Sequence, residues 1–222
     1  MLRLLNIEFH KLRYSKSTKV LTLIYFILPL FIALLASIDF NFIGFNIHVA
    51  DQGIFNFPYI WHFNSFIISY LKLFLAIVIV SMMSNEYSNR TLKQNLIDGM
   101  SKKEFILSKF YTVLAFSAAS TVFVFLLSMI LGLSFSDYTE FSIIFSELEF
   151  LLAYFIKLVG FFSFCMFLGI LVKRSAFALG FLFVWWIIEK IVYLVVRFKI
   201  THTESATDYV MQFFPIEATY NV

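Results

Sequence analysis

The stretch NEYSNRTLKQNLIDGMSKKEFILSK, residues 85–109, lies between two long apolar runs at 63–84 and 110–133. Each run has the roughly 20 residues a helix needs to cross the hydrocarbon layer, where backbone groups must satisfy one another. A polar, basic segment held between two such runs is a connection on one membrane face. Outward from it, three more runs qualify, at 20–38, 150–172 and 176–196. The expected fold is all-α, a polytopic membrane helix bundle of about five transmembrane helices.

Composition agrees with that reading. Of 222 residues, 61% are hydrophobic and 14% charged, far from the balance of a water-soluble domain. Phe occurs 31 times along the whole chain, so the apolar excess is not one anchor on a globular body. The net charge of +3 is not gathered into a basic face, which excludes nucleic acid as a partner. The single cysteine, Cys165, sits in an apolar run and reads as packing. The first apolar run lacks a small-x-small cleavage site and reads as a retained span.

Lys and Arg give the orientation, because basic residues stay on the cytoplasmic side. Arg3, Lys11, Arg13, Lys16 and Lys19 precede the first span, and Arg90, Lys93, Lys102, Lys103 and Lys109 follow the second. Lys173 and Arg174 follow the fourth, whereas the gaps 39–62 and 134–149 contain neither residue type. The alternation puts the N-terminus in the cytoplasm and, after five crossings, the tail 197–222 outside. Arg197 and Lys199 in that tail run against the rule. Asn89-Arg90-Thr91 is a glycosylation sequon, but on a cytoplasmic face it carries no glycan.

Two domains of unequal size are expected: an interfacial helix at 1–17 and a transmembrane part at 18–222 containing the segment 85–109. Leu2, Leu5, Phe9 and Leu12 recur at helical spacing, with Arg3, Asn6, His10 and Arg13 largely elsewhere. Such a helix lies in the lipid bilayer interface, cations toward anionic headgroups; the plainer alternative is a basic lead that only sets topology. Pro29 kinks the first span or marks a packed turn. Pro58, Tyr59 and Trp61 are placed to anchor at headgroup level, with a ligand-facing lip as the alternative.

The segment 85–109 has its own structure. Thr91 is placed to cap a two-turn helix of Leu92, Lys93, Gln94, Asn95, Leu96 and Ile97, which Asp98 and Gly99 end in a left-handed turn. Ser101 and Glu104 form a capping box, with Met100 and Phe105 at the staple positions. Two turns are marginal alone, so the membrane surface or a partner receiving Leu92, Leu96 and the polar residues between them must hold them. Tied to two spans, a short rigid helix transmits a push to both.

Glu86, the run Arg90 to Gly99 and Ser101-Lys102-Lys103-Glu104-Phe105 together resemble membrane subunits of type-2 ATP-binding-cassette transporters. The resemblance covers most of the chain in layout and about 25 residues in specific pattern. It implies a permease working with a cytoplasmic ATPase subunit and a second permease copy or homologue in a bacterial inner membrane. It also implies that Glu86 and residues 91–99 contact or support the ATPase, with Lys173, Arg174 and Ser175 as a second contact. ATP and magnesium are then expected in the ATPase, since this sequence has no phosphate loop of the G-x-x-x-x-G-K-[ST] kind. The alternatives are a solvated, topology-setting loop and, for the whole chain, a non-transport sensor, scaffold or immunity factor. Such permeases usually have six spans, so either the pattern is shortened here or, as the favoured expectation, a sixth span follows Val222.

Lys72, Lys157, Glu189 and Lys190 fall within predicted spans, where a charge is costly and needs an explanation. Lys157 is placed to snorkel. Lys72 and Glu189 are candidates for an interspan pair or for a substrate path. His10, His48, His62 and His202 have no ligand spacing, and no Ser, His and acid set is grouped for catalysis. Neither a metal site nor an enzyme active site is expected in this chain.

Overall fold

A computed structural model describes residues 2–36, 40–42, 45–47, 53–138, 140–201, 204–211, 213–214 and 216. The helices are α1 (Leu2–Tyr14), α2 (Lys16–Ala36), α3 (Tyr59–Ser88), α4 (Thr91–Ile97) and α5 (Lys102–Phe135), then α6 (Phe141–Ile144), α7 (Glu149–Val172), α8 (Ser175–Val196) and α9 (Glu204–Met211). Strands β1 (Phe40–Phe42) and β2 (Phe45–Ile47) form a small antiparallel hairpin after α2, and a π-helical turn, Arg197–Thr201, extends α8. Among the described residues, five helical stretches are long and apolar enough to cross a membrane. The molecule is an all-α polytopic bundle bearing one hairpin. Ile38, His48, His202 and the chain beyond residue 216 lie outside the described residues.

The observed helices are longer than the apolar runs. At 1.5 Å per residue the 30 residues of α3 extend about 45 Å and the 34 of α5 about 51 Å, against about 30 Å of hydrocarbon. Their facing ends therefore project together past the apolar layer, where a hydropathy window no longer detects helix. Residues 85–88 and 102–109, part of a connection in the sequence, are continuations of these two spans.

Helix α3 is the centre, packed against α2, α5, α7 and α8. Half of its most apolar window is buried, against 17% for α2 and for α8, whose outer faces are apolar and bare. Close approach of α3 and α7 depends on Gly169, where an added Cβ would stand 2.8 Å from the Met83 Cβ. Gly132 of α5 likewise leaves room for the Phe57 ring.

Polar side chains tie the helices within the apolar layer, where an unanswered hydroxyl is expensive. Tyr25 of α2, Ser120 of α5 and Tyr154 of α7 form a closed triangle: Tyr25 bonds Ser120, Tyr154 lies 3.1 Å from Tyr25, and Ser120 lies 3.0 Å from Tyr154. Asn64 Nδ2 donates to Ser128 Oγ at 2.9 Å, joining α3 to α5. Helix α2 runs unbroken through Pro29, which is buried against the bundle.

Trp61 differs from its expected role. It is fully buried, stacks on Phe125 and donates from Nε1 to the Ile144 carbonyl at 3.0 Å, so it holds α6 rather than anchoring in headgroups. Tyr59, 70% exposed, keeps the position of an anchor. Beyond α8 the chain folds back, burying Thr207, Met211 and Ile216.

A coupling site built on buried ions

Only Asn89 and Arg90 separate α3 from α4. The backbone reverses at Arg90, whose φ of 56° is left-handed, and the Arg90 carbonyl accepts from the N–H groups of Lys93 and Gln94. Arg90 is therefore the N-cap position, and Thr91 is the first helical residue instead of the cap. The Thr91 hydroxyl donates to Glu86 Oε2 at 2.5 Å, which suspends α4 from the end of α3.

The far end of α4 closes in a Schellman motif. Met100 N–H donates to the Asn95 carbonyl at 3.0 Å and Gly99 N–H to that of Leu96 at 3.3 Å. Gly99 has a φ of +93°, which disfavours a side chain. The capping box then starts α5: Ser101 Oγ accepts from Glu104 N–H, and the Glu104 carboxylate accepts from Ser101 N–H at 2.9 Å. Phe105 is buried, and Met100 packs against the same core.

Glu86 also faces inward. Its Oε1 accepts from Lys109 Nζ at 2.5 Å and from Lys11 Nζ at 2.8 Å. Lys109 Nζ also donates to Glu8 Oε2 at 2.5 Å, and Lys11 lies 3.5 Å from Glu8 Oε1. Two carboxylates and two ammonium groups make a formally neutral cluster, which makes such burial tolerable. Lys109 is fully buried and Glu8 is 1% exposed; only Lys11 reaches solvent. Burial pulls the Lys11 ammonium down, but the hydrogen bond and charge of Glu86, together with Glu8, leave it above the ordinary lysine value. Lys11 is thus protonated through the neutral range. Its stabilising contribution is complete below the ordinary lysine value and is lost only as pH climbs through the raised one.

The cluster fastens four elements, α1, α3, α4 and α5, at one end of the bundle. A cleft of about 390 Å³ opens beside it, lined by Glu8, Lys11, Glu86 and Thr91 among others. Sequence reading took Lys109 for one more basic loop residue and did not single out Glu8. The clue was the register Leu5, Glu8, Leu12, which places a carboxylate on the inward face of α1; Phe9, taken as apolar-facing, is 47% exposed.

Helix α4 buries none of its side chains. Leu92 packs against the core and Leu96 is half-buried, whereas Ile97 is 83% exposed beside exposed Lys93 and Gln94, with Asp98 just beyond. The outward face is therefore Lys93, Gln94 and Ile97, about 100° around the helix from Leu92 and Leu96. The turn after α7 lies at the same end: Lys173 Nζ stands 5.7 Å from the Tyr87 ring centroid, next to Glu86, and Arg174 lies over Phe177.

The charges within the spans are elsewhere. Glu189 is 1% exposed and accepts from Trp185 Nε1 at 2.5 Å and from the backbone N–H of Ile216 at 3.2 and 3.1 Å. The Lys72 ammonium lies 4.6 Å from the Phe161 ring centroid and lines a 230 Å³ cavity with Ile216. Lys190 lies over Tyr193.

No curated protein and no solved structure matches the chain. A family model described as "ABC-2 family transporter protein" matches residues 4–189, from α1 through the first four spans and into the fifth. With five apolar helices and a structured connection between the second and third, the chain belongs to the ABC-2 transporter family as a multi-pass membrane permease.

Proposed function

We propose that this permease is the membrane half of an ATP-driven exporter, and that α4 is the part on which a separate cytoplasmic ATPase subunit acts. The observation that carries this reading is the contrast within α4. Its outer face, Lys93, Gln94 and Ile97, is open to a partner, while its inner side hangs by Thr91 from a buried ion cluster joining α1, α3 and α5. A load applied to Ile97 passes through short hydrogen bonds into two long helices.

In this proposal the N-terminus, α1, α4 and the Lys173–Arg174 turn lie in the cytoplasm of a bacterial cell whose inner membrane holds the bundle. Two permeases, each with an ATPase carrying ATP and magnesium, form the working unit. The bare apolar faces of α2 and α8 leave room for the second permease or for lipid. ATP binding draws the ATPases together, shifts α4 and tilts α3 and α5. This chain supplies the path and no covalent chemistry.

The test is co-purification of a co-expressed ATPase subunit with this chain. Ile97→Asp combined with Lys93→Glu should remove most of the ATPase while the permease keeps its thermal unfolding midpoint. Undiminished ATPase on that variant would sink the assignment of α4.

A further inference from the structure

A groove of about 590 Å³ lies between α1, α2 and α5, on the other side of α1 from the ion cluster. Its apolar wall comes from Phe9, Leu12, Leu23 and Phe116, and its rim carries Arg13 and Lys19. Both cations are exposed. No acidic side chain lines it among the described residues, because Glu8, the one acid of α1, is turned into the cluster. Lys19 also stands in the first turn of α2, where the helix dipole favours an anion. The break between α1 and α2 is the single residue Ser15, so the two cations are held at a fixed elbow.

We propose that this groove is a binding site for one anionic phospholipid, its phosphate between Arg13 and Lys19 and the upper part of an acyl chain along Leu23 and Phe116. Two cations over an apolar wall match a molecule that is anionic at one end and hydrocarbon at the other. Free phosphate would leave that wall bare. The site requires only a bilayer around the bundle and stands apart from ATPase docking, so failure of one leaves the other intact.

The full chain is reconstituted in vesicles of equal parts phosphatidylglycerol and phosphatidylcholine, released gently into detergent and weighed by native mass spectrometry. Phosphatidylglycerol should be retained about thirtyfold over phosphatidylcholine, the scale expected of two cations at a membrane surface. Arg13→Ala with Lys19→Ala should bring the ratio close to one, and Lys19→Gln alone should lower it severalfold. Arg3→Ala, an exposed cation of the same helix outside the groove, should leave the ratio unchanged, and added inorganic phosphate should not displace the lipid. Equal retention of both lipids, a preference that survives the double change, an equal loss with Arg3→Ala, or displacement by phosphate would each overturn the site.

Discussion

Lys109 shows how much one buried ammonium can hold. It bonds carboxylates contributed by the first and third helices while sitting on the fifth, with no exposure to water. Lys109→Met would leave Glu8 and Glu86 buried with Lys11 as their shared cation, and should cost about 3–5 kcal/mol of stability by thermal unfolding in detergent. Adding Glu8→Gln should recover part of that loss, because the second change removes a carboxylate that the first has stranded. Strictly additive losses would mean the two groups do not share a site. Nothing in the local sequence marked Lys109, because a lysine entering a span looks the same whether it fixes topology or pairs with a carboxylate 101 residues away. Glu86 was legible as the end of a span; its partners Lys109, Lys11 and Thr91 were not.

Among the elements, α4 was the most legible and the most revised. Its bounds, its glycine stop and the capping box that follows were readable because caps and turns are local chemistry. Its outward face was not, since seven residues have no periodicity long enough to fix rotation without the neighbours they pack on. Gly99→Val forces a branched side chain into a φ of +93° and should fray the end of α4. Faster proteolysis at residues 98–101, with an unchanged unfolding midpoint, would report it. Equal proteolysis of both forms would show that the turn tolerates the branch. The α3–α7 contact makes a separate prediction. Gly169→Ala pushes a methyl within 2.8 Å of Met83 and should cost about 1–3 kcal/mol in the same unfolding measurement.

At the scale of the molecule, hydropathy disclosed five spans but shortened two of them, because it senses the bilayer and not the helix. The orientation proposed above rests on the basic residues, and a labelling experiment reads it directly. Cys165 is fully buried, so the chain offers a quiet background for added cysteines. Ile97→Cys should react with a membrane-impermeant maleimide only from the cytoplasmic side, and Tyr59→Cys only from the opposite side. Reaction of both from one side would refute the orientation.

The triangle of Tyr25, Ser120 and Tyr154 bears on how such a molecule can move. Three hydroxyls answering one another in hydrocarbon have no water to turn to, so a slide of α2 along its neighbours breaks their contacts with nothing to replace them. The first, third and fourth spans are thereby pinned into one block. On the mechanism proposed above, a stroke delivered at the ion cluster would rock that block as a piece and leave the freedom to open to the seam along α8.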